Sequence, residues 1–345
     1  MNISLADIKE TIQRNGWKNL LLAVSGGLDS MCLAHYFICN KDSLGIEWLG
    51  IAHVHHGLRE GSADLDAELV EQFAEAHNIP FFLKKLDGET LKEAKGSLEN
   101  NARAARYKAL QEVIETVKGA PGSVAGVTAQ SATAAHETAI VTAHHGGDQA
   151  ETVYLRMRRG VTLAGLRGIQ AVREGRDGSP WIFRPFLNIS REELTTYAKD
   201  NDINWREDES NSDTKFARNQ IRHQALPNLE REIPGACAGL SRIAQKATPA
   251  YEKVMAVADK LFSPMVVSKE NGLTLDTKKA KVSLKGGVDE IFRLWLDRQG
   301  FRFPIGCFKG KGFVSEIRNL SYRTRFIVKN RHIIRIYDKR TAIDI

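Results

Sequence analysis

The chain has 345 residues, too many for one compact core, which indicates two domains. Hydrophobic residues make up 42% and charged residues 26%, an ordinary composition for a globular protein, and the net charge is +7. No apolar run is long enough to span a membrane, and the N-terminal segment lacks the apolar stretch of a secretory signal, so we expect a cytoplasmic protein without a membrane partner. None of the four cysteines belongs to a C-x-x-C pair, which leaves a zinc or redox motif without support.

The first half of the chain predicts alternating strands and helices. Leu20–Val24 is a short, continuous apolar run that ends in glycines, as a buried parallel strand does. After it come predicted strands at 48–54, 79–83 and 139–143 and predicted helices at 62–77, 97–117 and 148–159. This alternation predicts an α/β fold with a doubly wound parallel sheet, whose ligands bind at the carboxyl ends of the strands.

The predicted first domain, residues 1–230, contains one segment of different composition. Residues 119–138 are mainly Ala, Gly, Ser and Thr, without Phe, Trp or Tyr, which predicts a flexible insert between a helix and a strand. Residues 181–185 predict another extended segment. Ser190 then begins a capping box, which predicts the start of a further helix.

Pro227 and Pro234 place a boundary before a smaller, largely helical and basic second domain at 235–345. Its predicted elements are a long helix from about 236, an amphipathic helix at 288–299 and paired strands within 325–337. Between Phe301 and Ile345, eleven basic residues stand against three acidic ones, a net of +8 that exceeds the net charge of the chain. Such a region fits a polyanionic partner, although a solvated basic surface has the same composition.

The sharpest motif follows the first predicted strand and precedes a helix: Ser25-Gly26-Gly27-Leu28-Asp29-Ser30. Glycines let the backbone turn tightly, so that its amides approach phosphate oxygens, and the positive end of the helix faces the same anion. Ser25 and Ser30 would add hydroxyl donors. Asp29 would repel phosphates unless a divalent cation lies between them, so the loop indicates a nucleotide phosphate site with Mg²⁺.

Neither of two common nucleotide-binding loops fits this motif. It lacks the Gly-Lys-Ser/Thr of a Walker A loop and the G-x-G-x-x-G of a dinucleotide site. The pattern S-G-G-x-D-S after a first apolar strand instead resembles the PP-loop of N-type ATP pyrophosphatases. This resemblance implies an enzyme that cleaves ATP between the α and β phosphates, activates a carbonyl oxygen as an adenylate, and lets a nucleophile displace AMP.

Further blocks, in order along residues 20–230, resemble the tRNA(Ile)-lysidine synthetases within that superfamily. The blocks begin at His53 (H-V-H-H-G-L-R), Asn101 (N-A-R-A-A-R-Y), Ala143 (A-H-H-G-G-D-Q-A-E-T), Arg159 (R-G, then G-L), Arg184 (R-P) and Trp205, the last of them reaching Arg222. Many blocks in the right order make a chance resemblance untenable.

The resemblance implies a ligase that forms a carbon–nitrogen bond. ATP would activate the C2 carbonyl of the wobble cytidine in tRNA(Ile) with a CAU anticodon, and the ε-amino group of free L-lysine would displace AMP to give lysidine. The expected cofactors are ATP and Mg²⁺, and the expected partners are this tRNA and lysine. The target base must leave its stack to enter the pocket.

The resemblance also gives roles to individual residues. The catalytic candidates are Asp29, Asp148 and Glu151, with Asp29 and Asp148 as candidate Mg²⁺ ligands and Asp148 or Glu151 as the candidate acceptor of the lysine proton. The ATP-binding candidates are Ser25, Gly26, Gly27, Leu28, Asp29, Ser30, His53, Arg103 and Arg106. The candidates for substrate or tRNA contact are His144, His145, Asp208, Asn211, Arg218, Asn219 and Arg222. The basic charge of the C-terminal region, and not the resemblance, adds Arg323, Arg325 and Arg331 as candidates for tRNA contact.

Two positions depart from the family pattern. Gly147 stands where the family usually has Asp, and His55 stands where it has Asp or Asn. Asp148 and Glu151 remain, and their i, i+3 spacing places both on one face of a helix. The lost carboxylate at Gly147 puts the binding of metal or lysine in question.

Other interpretations stay open from the sequence. His144, His145, Asp148 and Glu151 have residue types that also bind zinc, Arg103 and Arg106 could lie on an exposed helix face, and residues 208–222 could form a locally hydrogen-bonded loop. For the whole protein, one alternative is a PP-loop tRNA thiolase, which would usually need paired or metal-bound cysteines. Another is a non-catalytic nucleotide-binding protein with the same fold.

Overall fold

The computed structural model describes residues 3–55, 57, 62–119, 137–175, 180–207, 217–268, 273–276, 289–299, 324–329 and 333–338. The chain divides into two compact units. The first contains Met1–Gly160 and Gly168–Ala244, and the second contains Val161–Arg167 and Gln245–Ile345. The predicted boundary between residues 230 and 235, and the functions given to the two domains, stay predictions.

A six-stranded sheet forms the centre of the first unit. Its strands are β1 (Asn19–Ala23), β2 (Trp48–His55), β3 (Phe81–Lys85), β4 (Thr138–Thr142), β5 (Val172–Arg173) and β6 (Trp181–Phe183). They lie in the order β3-β2-β1-β4-β6-β5, and all neighbours are parallel except β5, which is antiparallel to β6. The predicted α/β fold with a doubly wound, mostly parallel sheet is confirmed.

Helices alternate with these strands along the chain, and two of the helices that follow belong wholly or in part to the second unit. They are α1 (Leu5–Arg14), α2 (Leu28–Cys39), α3 (Lys41–Leu44), α4 (Ser62–Ala76), α5 (Gly88–Glu93), α6 (Leu98–Gly119), α7 (Gly146–Arg158), α8 (Leu163–Leu166), α9 (Arg191–Asp200), α10 (Ala217–Gln220), α11 (Leu226–Glu232) and α12 (Ala236–Phe262). A π-helical turn, Ile221–Ala225, joins α10 to α11. No helix in the described part of the chain combines the length and apolar character needed to cross a bilayer.

The central strand β1 shows why helices cover both faces of the sheet. Successive side chains of a strand point to opposite faces. Leu20 and Leu22 are fully buried in the cluster that includes Met31 of α2, whereas Leu21 is buried in a separate cluster with Val113 of α6. The continuous apolar run of β1 therefore follows from burial on both sides, with α2 on one face and α6 on the other.

One predicted strand is observed two residues later in the chain than expected, and one predicted helix start is confirmed. The strand expected at 79–83 is observed at Phe81–Lys85, because Asn78 has a φ of 55° and the Ile79 N–H donates to the Ala74 carbonyl, which closes α4. At α9, Ser190 Oγ accepts from the Glu193 N–H and the Glu193 carboxylate accepts from the Ser190 N–H, as the predicted capping box requires. Residues 120–136 of the predicted insert lie outside the described residues.

The described part of the second unit contains α8, the C-terminal part of α12 and a further helix, α13 (Asp289–Arg298). Four strands form an antiparallel sheet in the order β7-β8-β10-β9: β7 (Val266–Ser268), β8 (Leu273–Asp276), β9 (Thr324–Lys329) and β10 (Ile333–Asp338). Trp295 packs edge-on against Phe262, and its Nε1 donates to Asp259 at 2.8 Å. The helix predicted at 288–299 and the paired strands predicted within 325–337 are confirmed.

Candidate active site

The glycine loop between β1 and α2 has the tight turn that its sequence predicts. Gly26 has a φ of +88°, a region that favours glycine, and Gly27 is the N-cap residue of α2. The Ser25 N–H donates to Ser30 Oγ at 3.1 Å, and Ser30 Oγ donates to the Gly27 carbonyl at 2.9 Å. The Ser30 hydroxyl, expected to face a phosphate, is thus engaged in holding the loop itself together.

Two residues from distant parts of the chain support this loop. The Arg206 N–H donates to the Gly26 carbonyl at 3.0 Å, and Arg206 Nε donates to Asp66 Oδ1 at 2.7 Å. Asp66 of α4 also limits the space at the turn, since a Cβ on Gly26 would lie 3.3 Å from the Asp66 Cβ and from its carbonyl oxygen. Because the backbone is fixed before a ligand arrives, binding has less conformational entropy to overcome.

The start of α7 brings a second group of predicted residues to the same edge of the sheet. His145 is the N-cap residue: its Nδ1 accepts from the Gly147 N–H, and Asp148 Oδ2 accepts from the His145 N–H, both at 3.0 Å. Because Nδ1 accepts, the neutral ring carries its proton on Nε2. That atom lies 3.6 Å from Asp29 Oδ2 and 3.8 Å from Asp148 Oδ2, so His145 links the glycine loop to α7.

Asp29 has one buried oxygen without a donor. Its Oδ2 lies 3.6 Å from Arg191 NH1 in addition to His145. Its Oδ1 is buried and accepts no hydrogen bond from the residues that the structure describes. A buried carboxylate oxygen in this state is costly unless a cation or a ligand donor satisfies it.

Asp148 and Glu151 face the same side of α7 and meet two arginines. Glu151 is 3% exposed and accepts from Arg218 Nε at 2.9 Å and from Arg222 Nε. Arg222 NH2 donates to Asp148 Oδ1 at 3.1 Å, and Arg218 NH2 lies 3.7 Å from the same oxygen. Two carboxylates and two guanidinium groups therefore form one compact, charge-balanced cluster.

The surroundings of Asp148 keep it ionised. Burial raises the pKa of Asp148, but its electrostatic interaction with His145, the hydrogen bond from the His145 N–H and the charge of Arg218 outweigh burial and bring the pKa below its ordinary value. A zinc cluster on these residues finds no support. Among the described residues, no group of three or more His, Cys, Asp or Glu side chains is arranged to hold a metal ion.

Two other predicted histidines, His144 and His53, have lowered pKa values. Burial, reinforced by neighbouring arginines and opposed by Asp148, lowers the pKa of His144 to about 3. Burial also lowers the pKa of His53, against a hydrogen bond from its Nδ1 to the Val24 carbonyl at 3.0 Å. Since Nδ1 of His53 donates, its Nε2 carries the lone pair and is an acceptor at the end of β2.

Arg103 and Arg106 surround an aromatic ring instead of lying on an exposed helix face. Their guanidinium carbons are 5.2 and 5.8 Å from the centre of the Tyr107 ring. Sequence reasoning missed two more arginines there: Arg173 of β5, at 5.1 Å from the ring centre, and Arg184, which directly follows β6 and is 3% exposed. Arg184 had a signal in the R-P block, whereas nothing in the sequence pointed to Arg173.

The remaining predicted residues are described incompletely. Asn219 lies on α10, the helix that also carries Arg218. Arg325 lies in β9, of which only the backbone is described. Asp208, Asn211, Arg323 and Arg331 lie outside the described residues. Their roles stay predictions.

Gly147, the departure from the family pattern, fits the position of the His145 ring. A Cβ at Gly147 would lie 2.6 Å from His145 Cε1 and 3.1 Å from its Nδ1, so any side chain here displaces the ring. We expect Gly147→Ala to remove the N-cap of α7, at a cost of about 1 kcal/mol in unfolding free energy, and to lower the ATP turnover that the resemblance to PP-loop enzymes implies. Thermal denaturation and AMP release measure the two effects.

The matched control for this substitution is Gly239→Ala. A Cβ at Gly239, on α12, has only Arg242 NH2 within 4 Å, at 3.8 Å, so this change is expected to be neutral or slightly stabilising. Gly147→Asp is expected to behave like Gly147→Ala. Full stability and full turnover in both Gly147 variants would show that the His145 cap and its approach to Asp29 do not matter.

The fold and the glycine loop together define the class of this protein. The chain belongs to the PP-loop domain family, which it matches over residues 2–120 and 126–229. The match includes β1, the glycine loop, α6, α7 and the segment that carries Arg218 and Arg222.

Within that class, the chain is similar to tRNA(Ile)-lysidine synthases, as its motifs predict. It is 32% identical over 289 residues to the one of Haemophilus ducreyi, covering 84% of this chain and 60% of that protein. It is 36% identical over 233 residues to the one of Streptococcus equi subsp. zooepidemicus, covering 68% and 46%. It is 32% identical over 257 residues to the bifunctional protein TilS/HprT of Listeria monocytogenes, covering 74% and 36%. The chain thus spans from about a third to three fifths of the length of these relatives.

Proposed function

We propose that this chain uses ATP to ligate free L-lysine to C2 of the wobble cytidine in tRNA(Ile) with a CAU anticodon, releasing pyrophosphate and AMP. The observation that carries the proposal is the contact of His145 with both Asp29 of the glycine loop and Asp148 of α7, at 3.6 and 3.8 Å. A phosphate-binding loop and a pair of carboxylates thereby share one edge of the sheet. The reaction places the protein with its tRNA in the cytoplasm.

On the nucleotide side, the glycine loop and the start of α2 would bind the ATP phosphates. The unsatisfied Oδ1 of Asp29 fits a cation, and Mg²⁺ held by Asp29, with Asp148 as a second candidate ligand, would neutralise charge on the departing pyrophosphate. His53 Nε2, an acceptor, suits an amino or hydroxyl group of the nucleotide. Arg103 and Arg106 are the candidates for contact with the adenylate.

On the lysine side, Asp148 and Glu151 would bind the ε-ammonium group. The lowered pKa of Asp148 favours this role, since a carboxylate that stays ionised attracts a cation well but accepts a proton poorly. Glu151 and Asp148 are already paired with Arg218 and Arg222, so the ammonium group must share or replace these contacts. Glu151 would then be the candidate acceptor of the ammonium proton, and the neutral amine would attack C2 as AMP leaves.

The decisive experiment is AMP release and incorporation of labelled lysine, each measured with and without tRNA(Ile) and lysine. Release of AMP that needs both substrates, with lysine bound to the RNA in equal amount, is the expected result. AMP release without lysine incorporation, or incorporation of sulfur, contradicts the proposal. No nucleotide turnover at all would favour a non-catalytic nucleotide-binding protein.

The thiolase alternative has little physical support in the described cysteines. Burial raises the pKa of the Cys32 thiol to about 12 and that of the Cys237 thiol to about 11, so neither is a thiolate at neutral pH. Cys39 is exposed on α2 and lies beside His35, not beside another described cysteine. Cys307 lies outside the described residues.

We also propose that the basic C-terminal region holds the tRNA by its phosphates. Charge reversal at Arg323, Arg325 and Arg331 is expected to weaken tRNA binding by about tenfold or more and to reduce the slope of log affinity against log salt, because fewer counterions are released. Filter binding at several salt concentrations measures both quantities. ATP affinity is expected to stay unchanged, since the glycine loop belongs to the other unit.

The control reverses the exposed Lys9 and Arg14 on α1, which adds comparable negative charge far from the C-terminal region in sequence. This control is expected to leave tRNA affinity and its salt dependence nearly unchanged. If the C-terminal reversals leave the slope unchanged as well, the region is only a solvated basic surface.

A further inference from the structure

Four arginines surround Tyr107 and form what we call the Tyr107 cage: Arg103, Arg106, Arg173 and Arg184. Three guanidinium carbons lie 5.1 to 5.8 Å from the centre of the ring, and Arg103 NH2 also donates to the Tyr107 hydroxyl at 3.4 Å. Burial raises the pKa of Tyr107, but the charges of Arg103, Arg184 and Arg106 outweigh it and bring the pKa below its ordinary value. Like charges are thus concentrated in a small, partly buried volume.

This positive charge is not balanced within the part of the chain that the structure describes. Arg218 and Arg222 pair with Asp148 and Glu151, whereas no described carboxylate forms an ion pair with any arginine of the cage. Arg184 is 3% exposed, and its buried Nε has no hydrogen-bond partner among the described residues. Arg184 NH1 donates to the Gln170 carbonyl at 2.9 Å, but this contact supplies no counter-charge. A buried guanidinium group without counter-charge is costly, so Arg184 is a candidate contact for an anionic ligand.

The cage reaches from the candidate active site to the edge of the sheet. Arg103 and Arg106 lie in the first turns of α6, and their charges lower the pKa of His144, which follows β4. Arg184 follows β6, and the exposed Arg173 lies on β5, the outermost strand of the sheet. The α6 helix packs on the face of the sheet opposite to α2. The cage and the glycine loop therefore lie toward opposite faces of the sheet.

We infer that Arg173 and Arg184, together with Tyr107, bind a phosphodiester group of the RNA strand next to the base that is modified. The inference rests on the proposed function and assigns residues that have no role in it. An arginine guanidinium group can bind two phosphate oxygens at once. An exposed arginine such as Arg173, on the outer β-strand, suits an RNA strand that reaches the protein from solvent. The adenylate is assigned to Arg103 and Arg106 and the other ATP phosphates to the glycine loop, which leaves Arg173 and Arg184 without an anion. The single carboxylate of lysine would not balance both.

The test measures binding of a labelled anticodon stem-loop RNA with a CAU loop to the full-length chain, without turnover. Arg173→Gln is expected to weaken RNA binding about fivefold and Arg184→Gln about tenfold, and each lost contact is expected to reduce the salt slope by about 0.7, the value for single strands. ATP affinity and the KM for lysine are expected to stay unchanged. Arg14→Gln, an exposed arginine on α1, is the matched control with no effect expected.

Arg184→Lys separates binding from folding, because it keeps the charge and loses the fork. It is expected to restore stability if Arg184→Gln lowers the melting temperature, and to restore RNA affinity only in part. A rise in the KM for lysine, or a loss of ATP affinity with RNA binding intact, assigns the cage to another anion and overturns the inference. Unchanged RNA affinity in all three variants overturns it too.

The failure of the inference is distinguishable from failure of the proposed function. If the wild-type chain incorporates lysine but the cage variants bind the stem-loop as the wild type does, only the inference fails. If the wild-type chain binds the stem-loop through the cage but incorporates no lysine, the proposed function fails and the phosphodiester site remains.

Discussion

Replacing Asp29 by alanine is expected to lower ATP turnover by at least about a thousandfold, while the fold remains intact. The reason is the buried Oδ1 of Asp29, which accepts no hydrogen bond within the described structure and is the oxygen best placed to hold a cation beside the ATP phosphates. The measurements are AMP and pyrophosphate release under saturating tRNA and lysine, together with a thermal denaturation curve.

Asp42→Ala is the control for this variant, since it removes an exposed carboxylate from the first turn of the neighbouring helix α3. It is expected to keep normal turnover. Asp29→Asn keeps the shape of the side chain and is expected to raise the Mg²⁺ concentration needed for half-maximal rate. Near-normal turnover in Asp29→Ala at ordinary Mg²⁺ would contradict the cation-binding role.

The second large effect is expected at Glu151, the more deeply buried of the two acidic residues on α7. Glu151→Gln removes one of the two α7 carboxylates that pair with Arg218 and Arg222, and Asp148 remains. Because both arginine side chains are 32% exposed, water screens part of the lost interaction, and we expect a loss of about 2 kcal/mol in unfolding free energy. Lysine incorporation is expected to fall by about a hundredfold or more, as for other buried charge contacts to a reacting group.

A double-mutant cycle separates the structural part of this effect from the catalytic part. Arg218→Gln in the Glu151→Gln background removes one of the two guanidinium groups that faced Glu151, and it is expected to recover part of the stability but none of the lysine incorporation. Glu232→Gln, an exposed residue at the end of α11, is the control and is expected to change neither quantity. Recovery of both quantities in the double variant would show that Glu151 is structural only.

Local patterns in the sequence were sufficient to predict most of the first unit. The apolar run of β1, the glycines after it and the capping box at Ser190 each act within a few residues, so their structure can be read locally. The observed position of β3, two residues later than predicted, could not be read from hydropathy. Ile79 is apolar and β-branched, yet its N–H closes α4, because Asn78 adopts a left-handed conformation that hydropathy does not reveal.

The contacts of the candidate site were harder to predict, because they join distant residues. Sequence spacing placed Asp148 and Glu151 on one face of α7, but nothing in it indicated that Arg218 and Arg222 would pair with them. Arg173 lies on a two-residue strand with no recognisable pattern. Its position beside Tyr107 depends on how β5, β6 and α6 pack, which is a property of the tertiary structure.

The support given to the glycine loop by Arg206 has a consequence for the synthesis of the protein. Gly26 leaves the ribosome long before Arg206, so a nascent chain contains all of the loop residues before their support exists. Until Arg206 has docked onto Gly26 and Asp66, the loop has its internal Ser30 hydrogen bonds but lacks this outside support. If the loop binds nucleotide as proposed, we therefore expect this affinity to reach its full value only late in synthesis, after Arg206 has docked.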